Sequence, residues 1–329
     1  MSASGYGGPD RFLGYSREAL AARAARLYYD FGLTHQRVAD ILGLSRVKVT
    51  RLIRHAHEIG LVRIVVNGDE TPFMELEDAL RVKYGLMEVI VVPAASEEGT
   101  GELRSLLALG TAAYMLRVLQ SGMIAAVGLS RTIGEAARRV VGMVESQRSV
   151  TFVSLVGSVR DRDGAGGSPY EAAGLLAQAF GGTVEHLLAP VIVRSSTVAG
   201  ELKRDPAIAR ALKLAASADV LFAGVGGQGD RLDFHSQGYV AKAEWEKLVS
   251  AGMVGDMCAR FFGRDGRAIK HELSDRVIGL SLEELSAIPS RVIAAGGASK
   301  IDALQAALSG GLLTVLVTDA STARELLAR

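Results

Sequence analysis

The chain has 329 residues but a single cysteine, Cys258, a single tryptophan, and aromatic side chains at only 5% of its positions. One thiol can neither close an internal disulfide nor build a cysteine-based zinc site, so Cys258 is expected as a small buried hydrophobe. No apolar run approaches the roughly 18 residues that a membrane-spanning helix requires, and the N-terminus lacks the basic-then-apolar pattern of a secretion signal. A soluble, cytoplasmic protein with no membrane partner is therefore expected. Internal repeats, low-complexity tracts, a Walker A sequence and a nucleophile elbow are all missing. His186, His235 and His271 have no metal-ligand spacing, which reads as structural, with no metal and no cofactor.

What is present is a hydrophobic fraction of 49%, enough for two domains with a large core. The net charge of +1 hides an asymmetry. Residues 1–63 hold ten Lys/Arg and five Asp/Glu, whereas the remainder is slightly acidic. The positive charge thus sits in the N-terminal fifth, which confines any electrostatic footprint for nucleic acid to that part.

Residues 33–59 explain the excess. Val38, Ala39, Leu42, Leu44, Val49, Leu52 and Ile53 are spaced for two short helices packed across a tight turn. Gly43 stands where the chain must reverse, and Ser45 is placed to cap the second helix. This is the pattern of a helix-turn-helix. No acid occurs between Ile41 and His57, so the outer face of the second helix is wholly basic, which suits a polyanion. At its N-terminal end Ser45, Arg46, Val47, Lys48 and Thr50 are candidate DNA contacts, base edges being within reach there. Arg51 reads as base reader or phosphate clamp and Arg54 as a phosphate contact. Thr34, His35 and Gln36 open the preceding helix, where such motifs cross the DNA backbone. Buried in another domain, the same hairpin would use its arginines only for solubility; glycine, capping serine and basic face together favour DNA.

A tail is expected over 1–15, the helix-turn-helix domain over 16–66 with a support helix over 16–30 and a wing or strand over 61–66, a linker over 67–75, and a second domain over 76–329. A helix over 73–84 carries Leu76, Leu80 and Val82 as its apolar positions. Beyond it, strands are expected at 88–92, 123–128, 150–155, 184–188, 219–224, 291–295 and 312–318. Helices are expected at 101–120, 132–141, 170–180, 206–216, 301–308 and 321–327. Near-continuous apolar strands alternating with helices imply a mostly parallel sheet covered on both faces, a doubly wound α/β domain.

Ligands of such sheets bind beyond the carboxyl ends of the strands. Gly128, Ser130, Arg131 and Thr132 follow one strand and open a helix, offering N–H groups, hydroxyls and a guanidinium to an anion. Gly224 and Gly226 follow a second strand and leave room against the backbone. Gly296 and Gly297 follow a third, with Lys300 in the first helical turn, a cation that the helix dipole disfavours unless an anion sits beside it. Asp256, ahead of Phe261 and Phe262, supplies a carboxylate for sugar hydroxyls beside an aromatic face. None of these turns has the spacing of the dinucleotide fingerprint. Together they suggest a small polyhydroxylated ligand.

With the helix-turn-helix, the turn at 128–132, Gly224 and Gly226, the run 254–256 with Phe261 and Phe262, Gly296-Gly297-x-x-Lys300 and the closing run 317–319, the chain resembles the SorC family of bacterial transcriptional regulators, grouped with sugar-binding DeoR-like regulators. The resemblance covers about residues 16–329. It implies an effector domain similar in fold to ribose-5-phosphate isomerase and glucosamine-6-phosphate deaminase, a homodimer or homotetramer, and operator binding altered by a sugar or sugar phosphate. By position, Ser130, Arg131, Thr132 and Lys300 would hold the phosphate or polar end, and Asp256, Gly224 and Gly226 would line the sugar. Many relatives carry a second glycine where this chain has Ser130, which leaves a free sugar or polyol open as effector. The expectation is a non-enzymatic regulator, repressor or activator, of a carbohydrate or polyol operon. Its rivals are a sugar-phosphate isomerase or deaminase with a DNA-binding arm, for which no acid/base pair with clear spacing is seen, and a protein-binding scaffold.

Overall fold

The computed structural model describes residues 15–29, 31–59, 61–62, 73–95, 101–158, 167–227, 234 and 238–329, and the chain divides into two compact units between residues 70 and 71. The expected tail over 1–15, apart from its last residue, and most of the wing and linker over 61–75, lie outside the described residues.

The first unit is a three-helix fold of α1 (Arg17–Tyr29), α2 (His35–Leu42) and α3 (Arg46–Glu58). Leu20, Ala21 and Ala24 of α1 close over Val38, Ala39 and Leu42 of α2 and Val49, Leu52, Ile53 and Ala56 of α3 in one core. The Thr34 hydroxyl accepts the Arg37 N–H and caps α2, while Gly43 ends it at φ 64°, returning its own N–H to Ala39 and Asp40. That left-handed turn is open to glycine without strain. The Ser45 hydroxyl then accepts the Lys48 N–H at 3.2 Å and starts α3.

The second unit runs α4 (Met74–Tyr84), β1 (Glu88–Val92), α5 (Gly101–Val118), β2 (Ile124–Val127), α6 (Arg131–Val140), β3 (Thr151–Ser154), α7 (Pro169–Phe180), β4 (Thr183–Glu185), α8 (Ser196–Arg204), α9 (Pro206–Ala216), β5 (Val220–Ala223) and β6 (Gly226–Gly227). It continues with α10 (Lys242–Ser250), β7 (Gly255–Met257), β8 (Arg260–Phe262), α11 (Glu272–Asp275), α12 (Leu282–Ala287), β9 (Ser290–Ala294), α13 (Ile301–Ser309), β10 (Val315–Asp319) and α14 (Ala320–Ala328). Seven strands form one sheet in the order β1-β10-β9-β5-β2-β3-β4, every pairing parallel. Successive residues of a strand fall on opposite faces: Val220 and Phe222 enter one core, Leu221 and Ala223 the other. The sheet is therefore covered on both sides, as its apolar strands imply.

Four expectations are corrected. The strand expected over 184–188 is the three-residue edge β4, and Leu188 beyond it is exposed. The strand expected over 312–318 begins only at Val315, because Leu312 still closes the turn after α13 through its N–H to Ala307. Val82 lies 73% exposed on α4, away from the buried Leu80, since 80 and 82 are separated by about 200° around a helix. Residues 255–257 and 260–262, not among the expected strands, pair with 226–227 in a second sheet of β6, β7 and β8, antiparallel and only two to three residues per strand.

Candidate functional site

In the first unit, α3 presents Arg46, Val47, Arg51 and Arg54 to solvent. The guanidinium groups of Arg46, Arg51 and Arg54 make no hydrogen bond or ion pair with a described residue. Val47 is 62% exposed beside them, an apolar side chain suited to the methyl group of a thymine. Besides the capping Thr34 and Ser45, Thr50, His35 and Gln36 are also engaged within the unit. The Thr50 hydroxyl donates to the Arg46 carbonyl at 3.0 Å and lies 3.3 Å from His35 Nδ1. His35 in turn stacks on Tyr28 with ring centres 4.7 Å apart. Thr50 and His35, expected as DNA contacts, therefore also pin α2 to α3, and Gln36 spends an N–H on Asp40 at 3.0 Å.

In the second unit, the parallel strand order turns back on itself between β2, which continues to β3, and β5, which continues toward β9. At such a switch point a ligand crevice is expected beyond the carboxyl ends of the strands. The turn at Gly128 and the turn at Gly224 flank it: a Cβ on Gly224 would lie 2.9 Å from the Ser130 hydroxyl. Ser130 caps α6 by accepting the Ile133 N–H, with Arg131 and Thr132, both half-buried, in the first turn. Gly226 pairs with Asp256 across β6 and β7, and a Cβ there would meet Asp256 Oδ1 at 2.1 Å. Lys300 Nζ donates to the Val225 carbonyl at 2.6 Å, which brings the third turn to the second. Gly224, Gly226, Ser130, Asp256 and Lys300, far apart in sequence, thus meet at one end of the sheet.

Two effector candidates take other roles. Phe262 is 0% exposed and packed in the core, its ring tip 2.9 Å from where a Gly255 Cβ would stand, so it offers no open face to a sugar. The Gly297 N–H is already spent on Asp319 Oδ2 at 3.2 Å and on the Thr322 hydroxyl at 2.8 Å. Asp319 also crowds Gly296, where a Cβ would come within 2.4 Å of its oxygen. A carboxylate in that position makes the Gly296–Gly297 turn a poor seat for a second anion, leaving Lys300 as its one cation toward the crevice.

Cys258, expected only as a small buried hydrophobe, also reaches this site. It lies in the two-residue turn joining β7 to β8, where Cys258 and Ala259 both take positive φ, 53° and 62°. The Asp256 carboxylate accepts the Ala259 N–H at 3.2 Å and braces that turn. Cys258 Sγ stands where a side chain on Gly128 would have to go, 2.5 Å from its Cβ position, and burial pushes the thiol up to about 12. Among the described residues no cluster of side chains is arranged to hold a metal ion.

A family profile described as "Putative sugar-binding domain" matches residues 70–328. The Transcriptional regulator LsrR of Enterobacter sp. (strain 638) is 33% identical over 320 residues, spanning 96% of this chain and 95% of that protein. The chain belongs to the SorC family of sugar-binding transcriptional regulators. Among solved structures, the "Putative Sugar-Binding Domain of Transcriptional Repressor from Vibrio fischeri" is 28% identical, with a TM-score of 0.70 over 77% of this chain and 98% of its own. The full-length sorbitol operon regulator SorC from Klebsiella pneumoniae shares the fold, with a TM-score of 0.75 over 94% of this chain and 98% of its own at 23% identity. The chain is accordingly a transcriptional regulator, and the isomerase or deaminase alternative is not favoured.

Proposed function

We propose that the chain binds operator DNA through α3 and releases or tightens that grip when a sugar, sugar phosphate or polyol fills the crevice between β2 and β5. Arg46, Val47, Ser45 and Lys48 lie at the end of α3 that would enter the major groove, with Arg51 and Arg54 along the phosphates and Thr34 and Gln36 at the backbone crossing. In the crevice Asp256 accepts hydroxyl hydrogen bonds. Ser130, Arg131, Thr132 and Lys300 hold the polar or phosphorylated end, and Gly128, Gly224 and Gly226 leave the space. The chain works as a cytoplasmic repressor assembled as a dimer of dimers, so that paired α3 helices meet half-sites separated by whole turns of DNA. The single observation that carries this reading is the junction of three separate strand ends with one carboxylate and one ammonium at the switch point of the sheet.

The test is fluorescence anisotropy of the full chain on DNA from upstream of its own operon, repeated with a panel of sugars, polyols and their phosphates. Binding that one class of compound shifts at least fivefold supports the reading. Binding indifferent to the whole panel refutes the effector assignment, and no binding to any promoter fragment refutes the DNA assignment. Light scattering of the same sample checks the tetramer.

A further inference from the structure

Apart from the crevice, α8, α9, β8, α11 and α12 line a hollow of about 470 Å3 that is open to solvent on one side. That is the size of a small-metabolite site. Arg260 forms part of its wall at only 8% exposure. Its guanidinium gives one N–H each to the carbonyls of Leu280 (2.6 Å), Ser274 (2.8 Å) and Gly279 (2.8 Å). A guanidinium has five N–H donors, so these bonds fix its position without using it up or compensating its charge.

Lys203, half-buried on α8, lines the same cavity and makes no hydrogen bond or ion pair with a described residue. Burial first, and then the nearby Arg260 charge, press its ammonium below the ordinary lysine range. Two acids stand at the rim, both exposed: Glu284, whose carboxylate accepts the Ser281 N–H at 2.7 Å in a capping box, and Asp275. Neither forms an ion pair with Lys203 or Arg260, though both carboxylates favour the charged form of each cation. Glu284 and Asp275 offset part of both charges from the rim, while the guanidinium N–H groups that the carbonyls leave over and the Lys203 ammonium remain as donors beside the hollow. The Ser196 hydroxyl and the Leu212 side chain complete a wall that is partly polar and partly apolar.

We propose that this cavity is a second ligand site, separate from the effector crevice, which takes the oxyanion of a small phosphorylated or carboxylated molecule between Lys203 and Arg260. The oxyanion would accept from the ammonium and from the guanidinium N–H groups that the three carbonyls leave over, and the remaining volume would take the rest of the molecule.

Titration calorimetry of the full chain with inorganic phosphate, and separately with malonate, at an ionic strength held constant with sodium chloride, tests the proposal and tells the two oxyanion sources apart. Saturable binding of either anion is expected; K203Q should weaken it at least about tenfold, and K203R should keep it within about threefold. K300A, which weakens any anion binding in the crevice, should still leave a saturable site that K203Q weakens, so that failure of the effector reading and failure of this one are distinguishable. Circular dichroism of each variant checks that the fold is kept. The proposal is overturned if neither anion binds saturably, if K203Q binds as well as the parent chain, or if K300A rather than K203Q abolishes the binding.

Discussion

Replacing Gly226 by alanine tests the crevice with one added methyl group. The backbone there is not in the left-handed region, so alanine adds no conformational strain. Its Cβ would, however, stand 2.1 Å from Asp256 Oδ1. Carbon contacts become comfortable only near 3.5 Å, so the carboxylate must withdraw by more than about 1 Å. The clash is with the tip of a side chain rather than with backbone, so the stability cost should lie at the low end of overpacking, about 1 kcal/mol. The functional cost should be larger. A hydrogen bond to a charged acceptor contributes roughly 1.5–3 kcal/mol, and losing one would weaken effector binding about 10- to 100-fold. Anisotropy on promoter DNA gives both quantities: G226A should bind operator like the parent, and the effector concentration needed for half-response should rise by that factor. A folded G226A protein that responds to the effector within twofold of the parent would refute the placement of Asp256 in the site.

The remaining predictions concern other parts of the chain. Arg46→Ala should cost about 1–3 kcal/mol on the cognate operator and little on unrelated DNA, whereas Arg54→Ala should weaken all sequences alike and lower the salt dependence by roughly one phosphate contact; band-shift titrations at several salt concentrations separate the two. Burial alone would raise the Glu135 carboxyl, but the Ser105 hydroxyl and the Arg139 and Arg104 guanidinium groups outweigh it and hold the group below the ordinary carboxylate range. Its contribution to stability should therefore be present above that range and disappear as the pH falls through the lowered value, so urea midpoints of Glu135→Gln and the parent should differ at pH 7 and converge toward pH 3. With its thiol pushed up to about 12 and buried, Cys258 should resist alkylation at pH 8 in the folded chain and react once urea unfolds it; rapid labelling of the native protein would contradict the burial.

Much of the architecture was legible because it rests on local signals. The Thr34 and Ser45 caps and Gly43 fix α2 and α3 by chemistry within four residues, and the doubly wound sheet announces itself in apolar runs such as 220–223. The loops at strand ends could be named as ligand-bearing, because in a parallel sheet that is where ligands sit. What escaped depends on contacts between distant segments. The sheet of β6, β7 and β8 has strands too short for periodicity to register. The engagement of Gly297 by Asp319 spans 22 residues, and nothing in a run of glycines tells whether their N–H groups are free. Phe262 looked like a sugar platform because an aromatic beside an acid suits carbohydrate, yet β7 and β8 alternate their faces, and the ring turns into the core while Asp256 faces the crevice wall at Gly226. Arg260 and Lys203 carried no signal at all, since 57 residues separate two groups that only the folded chain brings to one cavity.

The central claim is that a DNA-reading α3 and a sugar-sensing crevice belong to one regulator, and it is tested most directly by nuclease footprinting of the full chain on its own promoter with increasing concentrations of sugar phosphates. The prediction is protection of two half-sites separated by whole helical turns, altered by one class of sugar compound and made insensitive to it by G226A. Protection that no sugar, polyol or sugar phosphate changes, or no protection at any concentration of protein, would contradict it.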